Sequence, residues 1–191
     1  MTAESLSRYF NETRDLLAAS STEALDNAVD RTVETIAAAL GQGRPLLIAG
    51  NGGSASDAMH ITGELVGRYL KERPAYKVIA LSANTAVLTA WANDYEYETV
   101  FSRQVEAYAE SGGVVLGIST SGNSANIVKA LERGRQLGMT TVALTGLGGG
   151  ACASHADILL DVPSHVTPRI QEIHIGIYHY LCERIEVALT H

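Results

Sequence analysis

From residue 44 onward the chain carries five short apolar runs, and none of them alternates. PLLIAG (45–50), KVIALS (77–82), VVLGIS (114–119), TVALTG (141–146) and DILLDV (157–162) are separated by segments of helical periodicity. A strand that is apolar throughout is covered on both faces, and strands that alternate with helices run parallel. The pattern predicts an α/β fold, a three-layer αβα sandwich on a five-stranded parallel sheet. Its helices are expected over 55–70, 85–92, 96–110, 124–136 and 168–189. Sheets of this kind take ligands at the carboxyl ends of their strands.

The residues before this pattern read as two helices, SLSRYFNETRDLLAAS (5–20) and STEALDNAVDRTVETIAAALGQG (21–43). Ser21 or Thr22 would cap the second, and Gly41 and Gly43 would end it. Its stripe of Leu25, Ala28, Val29, Val33, Ile36 and Ala37 suits either the domain core or a partner subunit. A length of 191 residues with 46% apolar residues fits a single domain, with 1–43 as a helical extension and 44–191 as the α/β core. The charged N-terminus has no secretory h-region, and no apolar run reaches the length of a membrane span. With two cysteines, Cys152 and Cys182, expected as reduced thiols, a cytoplasmic protein is predicted. A net charge of −7 argues against a nucleic-acid partner, although backbone N–H groups can still hold a small anion.

Two strand-to-helix turns look alike, LLIAGNGGSASDAMH and VLGISTSGNSANIVK. In the second, Ser119, Thr120, Ser121 and Ser124 place hydroxyls around a helix N-terminus, where free N–H groups and the macrodipole favour an anion. Gly122 lets the backbone approach closely. The turn reads as a cradle for a phosphate monoester, and alternatively as a polar turn with Ser124 as a simple N-cap. It is neither a Walker A loop nor a dinucleotide fingerprint. In the first turn, Asn51, Gly52 and Gly53 suit a backbone pressed against a polar ligand such as a sugar, or simply a tight βα turn.

The helical segment DAMHITGELVGRY sets His60 and Glu64 four residues apart on one face. That pair suits a zinc ion, general acid–base work or a surface hydrogen bond. In RIQEIHIGIYHYLCERIE, Gln171, Ile175 and His179 share a face, with His174 off it. Gln171 and His179 lie eight residues apart, about 12 Å along a helix axis. One ion could touch both only from between them, unless subunits share the site. His155, His165 and His191 are assigned no role.

Taken together and in order, GNGGSASDAMH, AND, GISTSGNSANIVKA, ALTG and RIQEIHIGIYHYL resemble the sugar isomerase (SIS) domain family, and within it the phosphoheptose isomerases. The resemblance covers nearly the whole chain. It implies a flavodoxin-like sheet and a homotetramer with N-terminal helices and active sites at subunit interfaces. It implies that Ser119, Thr120, Ser121 and Ser124 hold a sugar phosphate, and that Asn51, Gly52, Gly53, Asn93, Asp94 and Gln171 contact the substrate. The acid–base pair falls on Glu64 and His179, and the ligands of one zinc per subunit on His60, Glu64, Gln171 and His179. Asp94 is a second-line candidate for proton handling, and Arg68 for ligand positioning or a subunit contact, or alternatively a solvated helix residue. The implied reaction interconverts sedoheptulose 7-phosphate and an aldoheptose phosphate through a cis-enediol. The chain also resembles non-catalytic relatives, a DnaA initiator-associating protein and phosphosugar-binding regulators. The first of these is expected to lack the Glu and the final His, so Glu64 and His179 favour the enzyme.

Overall fold

The computed structural model describes residues 5–190, so residues 1–4 and 191 of the 1–191 span lie outside the described residues. The apolar runs form β1 (Leu46–Gly50), β2 (Val78–Ala80), β3 (Val114–Ser119), β4 (Thr140–Thr145) and β5 (Ile158–Asp161). They make one sheet in the order β2-β1-β3-β4-β5, with every neighbouring pair parallel. The strand order reverses between β1 and β3, the place where a doubly wound sheet opens a crevice for ligands. The two look-alike turns follow these two strands, one on each side of the crevice.

Among the described residues seven α-helices accompany the sheet: α1 (Leu6–Ser20), α2 (Glu23–Gly41), α3 (Gly53–Val66), α4 (Thr85–Asp94), α5 (Val100–Tyr108), α6 (Ala125–Gln136) and α7 (Thr167–Leu189). Leu46, Ile48, Leu116, Ile118 and Leu144 share one core with α2, α3 and α7. Leu47, Ala49, Val115 and Ala143 share the other with α5 and α6. Gly117 lets α6 lie close to β3, since a Cβ there would come within 2.7 Å of Ile127 Cγ2.

The expected boundaries shift by a few residues. The helix predicted over 96–110 opens with a 3₁₀ turn, Tyr97–Thr99, before α5 begins. Thr22, rather than Ser21, caps α2, accepting the Leu25 N–H at 3.2 Å. The inner stripe of α2 packs in the chain's own core, with Val29, Ile36, Ala39 and Leu40 buried. α2 is thus integral to the sandwich on that face, while Leu6, Phe10 and Leu17 of α1 are exposed. One polar knot fastens α1 to the start of α7. The Arg169 guanidinium lies 3.2 Å over the Tyr9 ring and bonds Glu12 Oε2 at 3.0 Å, and the Tyr9 hydroxyl donates to Glu172 at 2.7 Å.

Cys152 and Cys182 are free, buried and packed on opposite faces of the sheet, so they cannot pair. Burial pushes their thiols up to about 11 and about 12, which keeps them protonated and unreactive. No helix among the described residues is long and apolar enough to cross a membrane.

Candidate active site

β3 delivers Ser119 to the floor of the crevice, where it is buried. Gly122 then turns the chain at a φ of 67°, and α6 starts after Ser124. Ser124 occupies the N-cap position, but its hydroxyl faces Ser119 Oγ at 3.0 Å rather than the helix N–H groups. A capping serine would be consumed by its own helix; this one is available to the crevice. Ser121 Oγ lies 3.5 Å from Ser119 Oγ and accepts the Asn123 N–H. Thr120 braces the turn through its carbonyl, which accepts the Gly146 N–H at 3.0 Å. Three hydroxyls thus converge at the N-terminus of a twelve-residue helix, where donors and field favour a phosphate.

The first turn leans on the second. Asn51 and Asn126 exchange side-chain amide bonds at 2.8 and 2.9 Å, and the Tyr97 hydroxyl donates to Asn51 Oδ1 at 2.9 Å. Asn51 therefore aligns the two turns across the switch point. Gly52 has a φ of 55° as it leads into α3. The Gln171 amide lies directly against Gly53, where any Cβ would collide with it. Asn93 and Asp94 bond each other at 2.8 Å on the exposed last turn of α4, three residues before Tyr97. Arg68 pairs with Glu72 at 3.1 Å, and both side chains are exposed.

The histidines and the carboxylate gather elsewhere. α3 and α7 lie side by side and parallel, with Gln171 against Gly53 and His179 beside His60. His60 Nε2 is 3.1 Å from Glu64 Oε1, and the His60 and His179 rings meet edge to face with centroids 5.1 Å apart. Tyr178 hydroxyl lies 2.9 Å from His60 Nδ1 and so orients that ring. Burial first, then Asp57, pushes the Tyr178 phenol up to about 12. Burial likewise raises Asp57, against the pull of His60 and Tyr178. His174 is fully buried with its Nε2 3.1 Å from Thr145 O. Burial pushes it down to about 4, so it is a neutral tie between β4 and α7.

Gln171 and His179 remain about two turns apart along α7. Among the described residues no three His, Cys, Asp or Glu side chains are placed to grip one ion. The four residues His60, Glu64, Gln171 and His179 of one chain therefore do not fit a single tetrahedral zinc. Glu64 also lies eleven residues beyond Gly53 on α3, about 16 Å along the axis, so the Asn51–Gly53 turn and the Glu64–His179 cluster stand at opposite ends of that helix. Sequence reasoning missed Asn126, Tyr97, Asp57 and Tyr178. Asp57 left a signal, a lone carboxylate beside Ala58, Ile61 and Leu65 on the buried side of α3.

A family model described as SIS domain matches residues 8–146. The phosphoheptose isomerase of Trichlorobacter lovleyi is 55% identical over 147 residues, 77% of this chain and 75% of that protein. That of Crocosphaera subtropica is 49% identical over 162 residues, 85% and 83% of the two chains. The solved phosphoheptose isomerase of Neisseria gonorrhoeae has a TM-score of 0.89 at 37% identity, covering 95% of this chain and 97% of that chain. With that sheet order, those paired turns and these likenesses, the chain belongs to the SIS domain family and, within it, to the phosphoheptose isomerases.

Proposed function

We propose that this isomerase converts sedoheptulose 7-phosphate to D-glycero-D-manno-heptose 7-phosphate, a heptose precursor for bacterial lipopolysaccharide or a related glycan, in the cytoplasm. The observation that carries the reading is the cluster of Glu64 with His60 and His179 on two parallel helices: a carboxylate and an imidazole are the groups an aldose–ketose isomerisation needs. The names of the relatives support the substrate. The rise of about 16 Å along α3 from Gly53 to Glu64 supports a homotetramer in which the turns of one protomer meet Glu64 and His179 of another. The exposed Leu6, Phe10 and Leu17 on α1 supply an apolar face for such contacts.

In this reading Glu64 removes a proton from C1 of the ketose. The C1–C2 double bond forms as O2 takes a proton from His179, giving the cis-enediol. His179 then takes the O1 proton, the C1 carbonyl forms, and Glu64 returns its proton to C2. The serines hold the phosphate through both steps. Zinc remains part of the proposal only as an ion whose ligands, drawn from His60, Glu64, Gln171 and His179, would come from more than one protomer, since among the described residues one chain does not gather three His, Cys, Asp or Glu side chains about a point. No step above depends on it.

The test is to incubate the protein with sedoheptulose 7-phosphate in D₂O, with and without Zn²⁺, and follow C1 and C2 by proton NMR. Aldose carrying solvent deuterium at C2 is expected, because the Glu64 carboxyl is 26% exposed and exchanges its proton with solvent before returning it. No turnover in either condition, with the sugar phosphate still bound, would overturn the reading in favour of a phosphosugar-binding role. A second expected result concerns the cradle. Ser119→Ala with Ser124→Ala raises KM by about tenfold or more and changes kcat less, because a phosphate is bound alike in ground and transition states. An unchanged KM would place the phosphate elsewhere.

A further inference from the structure

We propose that the buried Arg73–Glu186 pair positions the catalytic side chains, setting where Glu64 stands relative to His179. The inference rests on the reading of Glu64 as the base given above. Arg73 lies in the segment between α3 and β2, far in sequence from α7. Both side chains are only 2% exposed, and Arg73 Nε bonds Glu186 Oε1 at 3.1 Å. The rest of the guanidinium serves the end of α3. Nη2 donates to the Glu64 carbonyl at 2.9 Å, and Nη1 to the carbonyls of Leu65 at 2.9 Å and Gly67 at 3.0 Å. The last turn of a helix has carbonyls without intrahelical partners, and here a single planar fork collects them.

The carboxylate is held as firmly from its own side. Glu186 Oε1 accepts the Tyr69 N–H at 3.0 Å, and Oε2 accepts the N–H groups of Leu70 and Lys71 at 2.7 and 2.8 Å. Burial works against its charge, but these three bonds and Arg73 outweigh it and keep Glu186 below the usual carboxylate range. Glu186 stands seven residues beyond His179 on α7, two turns further along the helix. The same segment lays the Tyr69 ring beside His179, with centroids 6.0 Å apart. The clamp therefore joins the backbone of Glu64, the helix of His179 and a ring that flanks His179.

Stability alone does not call for this arrangement, because a buried ion pair is often matched or bettered by apolar side chains of similar size. What an apolar pair could not do is fix the Glu64 carbonyl and three consecutive N–H groups at set distances. A displacement of about 1 Å at a reacting group can cost on the order of a hundredfold in rate.

The test is a double-mutant cycle on the full chain with sedoheptulose 7-phosphate, following kcat, KM and thermal midpoint. Arg73→Lys keeps the charge opposite Glu186 but loses the fork. Alone it is expected to lower kcat by about tenfold to a hundredfold with KM within about twofold. Placed in Glu64→Gln it is expected to cost less than about twofold more, since the group it positions is already gone. An equal fractional loss in both backgrounds, or an unchanged kcat in Arg73→Lys, overturns the inference. Glu186→Asp, which withdraws the carboxylate by one methylene, carries the same cycle if Arg73→Lys does not fold. Near-normal turnover in Glu64→Gln alone would remove the base assignment and this inference with it. An impaired Glu64→Gln beside a fully active Arg73→Lys would remove only the clamp.

Discussion

Glu64→Gln is expected to lower kcat by about a hundredfold or more, the scale on which a positioned general base contributes. Gln has the size of Glu and can still face His60 Nε2, which lies 3.1 Å from Glu64 Oε1. The side chain is 26% exposed, so losing its charge leaves no buried group unpaired and the fold should survive. In the proposed reading the phosphate is held by a different turn, so KM should move far less than kcat, the mark of an interaction made in the transition state. Solvent deuterium entry should fall in step with turnover. Steady-state kinetics and the NMR exchange assay read both quantities on one sample. Turnover near that of the unmodified protein would remove Glu64 from the chemistry.

Gly122→Ala is expected to damage both the fold and phosphate binding. Gly122 sits at a φ of 67°, where a side chain costs about 1–2 kcal/mol. Its added Cβ would also collide with the backbone carbonyl of Gly149. That carbonyl cannot swing aside cheaply. Gly148, Gly149 and Gly150 all hold positive φ, and the Gly122 carbonyl itself accepts the Cys152 N–H at 2.8 Å. The two turns are interlocked, so the strain must move Ser119, Ser121 and Ser124 apart. A loss of about 2–3 kcal/mol of stability, seen as a lower thermal midpoint, should accompany a rise in KM of tenfold or more, on the order of one lost charge-assisted hydrogen bond. A variant with unchanged midpoint and unchanged KM would show that the turn tolerates displacement and is not a preformed cradle.

The elements came out of the sequence because the apolar runs have no alternation and the turns between them are rich in Gly, Asn and Ser. β1, β3, β4 and β5 stand within a residue or so of the runs that predict them, while β2 shrinks to Val78–Ala80. The distance problem on α7 was also legible, since a rise of 1.5 Å per residue already separates Gln171 from His179. What one chain could not reveal were pairs far apart in sequence. Asn51 and Asn126 are 75 residues apart, and Arg73 and Glu186 are 113 apart. For Glu186 there was a hint, a lone acid on the same side of α7 as Tyr178, Cys182 and Ile185, which are buried. An acid in that place needs a buried partner, but nothing in the spacing says that Arg73 supplies it.

The docking of α7 bears on how the molecule comes into being at the ribosome. α7 follows every strand in the chain, yet α1, α2 and α3 all pack against it, and His174, His179 and Glu186 arrive with it. During synthesis the sheet can assemble while the three earlier helices still wait for their cover, and such non-local closure is slow. Isomerase activity would therefore appear only after α7 has been made and has docked. Measured on stalled nascent chains, it would report the emergence of α7 rather than the formation of the sheet.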